Sequence, residues 1–136
     1  NVGLNMARQI YLSTLDLEIH GTNPPTTAEG LQALVDRLRP EISLIENPAG
    51  ANMLRSFGHL MNQYSAAYYG YLWAEVLSAD MFAQCFEADP FDAKAGKRYR
   101  DLVLAPGGVG KILDHLTTFL GRPPSQEAFL KSRGIA

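Results

Sequence analysis

Apolar residues in the first twenty positions fall at Leu4, Ile10, Tyr11, Leu15 and Ile19. This is the three-, four- and seven-residue recurrence of an amphipathic helix, predicted over 2–20. "HGTNPPTT" stops it with Gly21 and two prolines. Thr26 followed three residues later by Glu29 reads as a capping box. It opens a helix with Leu31, Leu34, Val35 and Leu38 inward, which Pro40 is expected to end. Residues 40–63 hold no sustained period, so a long loop is predicted there, with a helical turn near Ile42–Ile45. The period returns over 65–87, where Tyr69, Trp73, Val76, Leu77 and Phe82 define an expected core face. Asp92 caps a helix through "AKAGKRYRDLVL", which "APGGVG" ends. A helix over "KILDHLTTFL" closes at Gly121, and Ser125 caps a last one that closes at Gly134. No stretch alternates as a strand does. The pattern predicts an all-α chain of five to six helices, taken as one helical body over 1–136.

Composition narrows the partners. The net charge of −2 comes with scattered basic residues, so no basic stripe for nucleic acid is expected. No apolar run approaches the roughly 20 residues of a membrane span, and no signal peptide is evident. The one cysteine, Cys85, cannot build a disulfide framework or a cysteine zinc site. It suits a reducing compartment, and a cytoplasmic location is expected, with a mitochondrial one as the alternative. Charged residues make up 19%, low enough to suggest that part of the surface meets other protein. The chain opens at Asn1 already in helical pattern, and an internal cut of a longer protein is the expectation.

Candidate chemistry is uneven. His20, His59 and His115 lie in different segments and form no HExxH pair, so no metal ligand is assigned. His20 and His115 read as surface or turn histidines. "GGVGK" at 107–111 lacks the serine or threonine and the preceding strand of a phosphate loop, and reads as a helix-ending turn. The segment "FGHLMNQYSAAYYGYLW" stands apart. Tyr64, Tyr68 and Tyr71 follow four- and three-residue spacing, which on a helix places them together. Their stripe is offset by about 100° from the expected core face. A phenol is a neutral donor near pH 7 and can stabilise a carbonyl oxygen as it gains negative charge. The residues alone leave packing and binding equally open.

"FGHLMNQYSAAYYGYLWAEVLSADMF" closely resembles the C-terminal region of the thimet oligopeptidase and neurolysin family of zinc metallopeptidases. "NMARQIYLSTLDLEIH" and "YRDLVLAPGG…LTTFLGRPPSQEAFLKSRGI" resemble the flanking segments of the same family, so the likeness covers nearly the whole chain. The details favour the thimet-like branch over the mitochondrial intermediate peptidase branch. The resemblance implies the C-terminal part of the catalytic domain of a mostly helical, two-domain, zincin-type oligopeptidase that cleaves short peptides in a deep channel. Zinc would be a cofactor of the full-length enzyme, held by the HExxH histidines and a later glutamate. By position, His59 and Tyr71 match substrate-binding and intermediate-stabilising residues, Tyr68 a second tyrosine beside them, and Tyr64 a tyrosine of the loop that gates substrate.

Two departures qualify the match. Asn62 and Gln63 stand where the family usually has two glycines, which implies a stiffer loop. The chain also holds no HExxH and no third ligand, so the resemblance implies the substrate-side half of a site, inactive alone, whose partners are short peptides and the rest of the parent chain. A homodimer is expected to cover apolar area on the opening helix and the 40–63 loop. The alternative is a stand-alone, non-catalytic helical module that binds peptides or a protein.

Overall fold

A computed structural model describes residues 1–135. Six α-helices follow in order: α1 (Val2–Ile19), α2 (Ala28–Ser43), α3 (Gly70–Cys85), α4 (Ala93–Tyr99), α5 (Ile112–Leu120) and α6 (Glu127–Ser132). There is no strand among the described residues, in line with the all-α expectation. The backbone divides into two compact units, Asn1–Leu72 and the residues from Trp73 onward.

In the first unit α1 packs along α2. Tyr11, Leu12 and Leu15 of α1 meet Leu34, Val35 and Leu38 of α2, and Phe57, Leu60 and Tyr68 close over them. Leu4 and Ile10, placed on the apolar stripe of α1, are exposed instead. The segment after α2 is not a free loop. Short 3₁₀ turns at Met53–Arg55 and Gly58–Met61 bring its apolar side chains onto the helix pair.

Local signals misplace three boundaries. The cap of α2 is Thr27, not Thr26: its hydroxyl accepts from the Gly30 N–H at 3.1 Å. Gly30 permits this, since a Cβ there would meet the Pro25 Cβ and the Thr27 hydroxyl, each at 3.3 Å. Pro40 does not end α2. The helix continues one turn further, because Ile42 packs on the core and the Ser43 hydroxyl donates to the Arg39 carbonyl at 2.6 Å. The missing proline N–H costs about 3 kcal/mol in a helix interior, and burial of Ile42 works against it.

The third misplacement matters most for the site. The helix expected from Ser65 begins only at Gly70. Residues 62–69 form consecutive turns, with Ala66 in the left-handed region at φ 56°. The expected core face of α3 is also not a core face: Trp73 is 56% and Phe82 52% exposed, and Tyr69 is exposed too. Apolar residues surround α3 on all sides, so its pattern selects no single inward face.

The second unit centres on Ala95, Leu116, Phe119, Leu120 and Phe129. Phe86, Tyr99 and Phe119 pack ring on ring. The Asp92 carboxylate caps α4 by accepting from the Lys94 N–H at 2.8 Å. α4 then widens into a π turn over Arg100–Leu104, which lengthens it to the residue expected from sequence. Gly121 (φ 74°) ends α5, and the Ser125 hydroxyl accepts from the Glu127 N–H at 3.2 Å at the start of α6.

Candidate functional site

Turn geometry, not helix periodicity, assembles the aromatic residues of the first unit. His59 stands in the 3₁₀ turn Gly58–Met61, Tyr64 and Tyr68 in the turns that follow, and Tyr71 in the first turn of α3. The four rings converge. The imidazole of His59 lies edge-on to Tyr64, Tyr68 and Tyr71, with centroids 5.6, 5.1 and 5.9 Å away. Tyr64 stacks on Tyr71 at 5.4 Å, and Tyr68 meets Tyr71 at 5.0 Å. Phe57 backs the group from the core, 5.2 Å from Tyr68. Each such pair contributes about 0.5–1.5 kcal/mol beyond area burial.

The members are unequally wet. Tyr68 is buried, His59 half-buried, and Tyr64 and Tyr71 exposed. The cluster therefore has an anchored floor and an open rim. A shallow groove of about 460 Å³ runs beside it, lined by Ser56, Gly58, His59, Asn62, Gln63 and Tyr64. Hydrogen bonding with the Tyr64 side chain, then desolvation, holds the Tyr71 phenol above the ordinary tyrosine range. Like any phenol, Tyr71 is protonated at neutral pH, and its single O–H can donate to a ligand by exchanging out of the contact with Tyr64.

The loop carrying these rings is tied down at both ends. The Asn62 side chain donates to the Gly58 carbonyl at 2.7 Å, and the Ser65 hydroxyl to the Leu60 and Asn62 carbonyls, each at 2.8 Å. Asp16, on α1, is fully buried. One of its carboxylate oxygens accepts from the Ala66 N–H at 3.0 Å and the other from the Tyr68 N–H at 2.9 Å. Holding Ala66 left-handed costs about 1–2 kcal/mol. A hydrogen bond to a charged acceptor contributes about 1.5–3 kcal/mol, so two such bonds outweigh the strain. Sequence reading passes over Asp16. The available signal is a lone acid on the apolar stripe of an amphipathic helix, between Leu12 or Leu15 and Ile19.

The remaining chemical residues are locally satisfied. His20, expected at a turn, caps α1, with Nδ1 2.8 Å from the Asp16 carbonyl and 3.0 Å from its carboxylate. His115 Nε2 is 2.7 Å from the Val109 carbonyl, inside the "GGVG" turn. The family resemblance raises zinc, but among the described residues no group of three or more histidine, cysteine or acidic side chains is placed to hold a metal ion. The residues present do not fit a zinc centre of their own.

Comparison with known proteins places the chain. It is 45% identical to saccharolysin of Saccharomyces cerevisiae, a match covering 99% of this chain and 19% of that protein. It is 36% identical to the thimet-like oligopeptidase of Dictyostelium discoideum (99% of this chain, 20% of that protein). It is 38% identical to the probable cytosolic oligopeptidase A of Arabidopsis thaliana (94% and 19%). The chain spans about a fifth of the length of these relatives. The model of peptidase family M3 matches residues 1–135, and the chain belongs to that family.

Proposed function

We propose that this chain supplies the substrate-side face of a zinc-dependent oligopeptidase acting on short peptides. Its membership of peptidase family M3 supports the peptidase class. The observation that carries the assignment to residues is the convergence of His59, Tyr64, Tyr68 and Tyr71 beside an open groove. In this reading the Tyr71 hydroxyl, protonated at neutral pH as any phenol is, donates to the scissile carbonyl oxygen as that oxygen gains charge. One such donor lowers a barrier by about 3 kcal/mol. His59 orients the same carbonyl, Tyr68 supports both rings from below, and the exposed Tyr64 borders the path by which peptide enters. Zinc would be held by residues other than those described, so the chain by itself is expected to be inactive. Its partners are then a short peptide and the rest of the parent chain. A cytoplasmic location is proposed, with a mitochondrial one as the alternative; the relatives include both a probable cytosolic oligopeptidase A and an organellar, chloroplastic or mitochondrial, oligopeptidase A of Arabidopsis thaliana.

The test is hydrolysis of short quenched-fluorescence peptides by the full-length protein that contains these residues. Turnover that falls when His59 or Tyr71 is replaced supports the reading. Turnover indifferent to both replacements removes these residues from the reaction.

A further inference from the structure

The tyrosine loop owes its shape to a residue fifty positions away. Within the loop, the Ser65 and Asn62 contacts set turns, but none of them reaches the N–H groups of Ala66 and Tyr68. Those two are taken by Asp16, across 50 and 52 residues of sequence. A helix beginning at Ser65 would need the Tyr68 N–H for the Tyr64 carbonyl, its first i→i−4 bond. Asp16 holds that N–H, and the Tyr64 carbonyl accepts from the Ala67 N–H at 2.9 Å instead. The bond from Ala66 fixes the left-handed residue between them. Tyr68 is the member of the cluster nearest this contact, and its ring touches Phe57, His59 and Tyr71.

We infer that Asp16 is the positioning residue of the tyrosine face: its carboxylate fixes the backbone at Ala66 and Tyr68, and Tyr68 in turn sets where the His59 and Tyr71 rings stand. The inference rests on the proposed role of that face. Asp16 touches no substrate. It acts by choosing turn over helix in 65–69, and α1 thereby becomes the fixed frame against which the aromatic rim is held. His20 lies against the same carboxylate and completes its contacts on the α1 side.

The experiment is Asp16→Asn in the full-length protein, read by amide hydrogen exchange and by peptide kinetics. An amide side chain offers one acceptor oxygen and turns an NH2 toward the other N–H. Exchange at Ala66 or Tyr68 should rise about tenfold or more, the loss expected for one charge-assisted hydrogen bond, while the α2 amides near Val35 keep their protection. kcat should fall with little change in KM. A second variant separates positioning from bulk stability. Ala66→Gly removes the left-handed strain, so added to Asp16→Asn it should restore part of the lost kcat; a carboxylate that merely stabilises α1 gains nothing from glycine at 66. Unchanged exchange at both amides overturns the inference whatever the kinetics show. So does an equal loss of protection throughout α1 and α2. If the amides open while Tyr71→Phe leaves kcat untouched, the positioning contact stands and the proposed role of the tyrosine face falls.

Discussion

Each unit buries one helical aspartate, Asp16 in the last turn of α1 and Asp80 within α3, and the two are satisfied in different ways. Asp80 of α3 receives a bidentate guanidinium, Arg122 Nη2 at 2.6 Å and Nη1 at 2.8 Å, plus the Ser125 N–H at 2.8 Å. Asp16 of α1 receives two loop N–H groups and an imidazole. The Arg122 hydrogen bonds chiefly, with help from Ser125, hold the Asp80 carboxyl below the usual carboxylate range. Asp80 fastens a helix to the connection that precedes α6 through a pair of side chains. Asp16 dictates backbone conformation. The first arrangement joins a helix to a side chain and one N–H of a connection; the second fixes the backbone of the loop that carries the aromatic cluster.

The largest effect expected on this contrast is Asp80→Ala. It leaves the Ser125 N–H and the Arg122 guanidinium, which is 40% exposed and can turn to water, without their shared acceptor, a cost of about 1.5–3 kcal/mol. Urea unfolding of the chain checks it; a loss below about 1 kcal/mol would rank the pair with surface salt bridges. The pH dependence has a definite sign. Asp80 titrates lower folded than unfolded. Its contribution is therefore full above the unfolded carboxylate pKa, about 3.9, and disappears as pH falls through the folded value. Asp80→Asn should flatten the acid limb of the stability curve.

Next is Tyr71→Phe in the full-length protein. It should cut kcat by about 10²-fold with little loss of stability, because the ring is exposed and its packing is kept. Tyr69→Phe, a neighbouring exposed phenol outside the ring cluster, is the control and should leave kcat nearly unchanged. Equal effects of the two would erase the functional half of the contrast.

A smaller effect is expected at Tyr11. Its hydroxyl is buried with no partner, and burial pushes its pKa up. Tyr11→Phe should be neutral or stabilising by up to about 1 kcal/mol in thermal unfolding. A clear loss would mean that this hydroxyl has a bonding partner. The smallest effect is expected from a chelator, which should leave the melting temperature of the 136-residue chain unchanged. A drop would reveal a structural metal that the described residues do not account for.

Much of this was legible in the sequence. Helix class, the cap at Asp92 and the glycine stop at Gly121 rest on local chemistry, and local chemistry is what a sequence displays. The proximity of Tyr64, Tyr68 and Tyr71 was also expected, but for the wrong reason. Helical spacing suggested it, whereas turns produce it. The cause is Asp16, whose carboxylate overrides the helical preference of 65–69 through partners far away in sequence. Pro40 shows the same limit: a local breaker yields to the packing of Ile42. The core face assigned to Tyr69, Trp73 and Phe82 failed because a helix apolar on every side carries no directional information.

The chain's one tryptophan, Trp73, opens the second unit, while every tyrosine except Tyr99 precedes residue 72. This division is optical as well as structural. Emission excited at the red edge, where only indole absorbs, follows the second unit, and phenol absorbance follows chiefly the first. Two unfolding traces from one unlabelled sample therefore report on two bodies. Coincident midpoints would mean that they melt as one cooperative system, and separated midpoints that the aromatic face can loosen while the Asp80–Arg122 half stays folded.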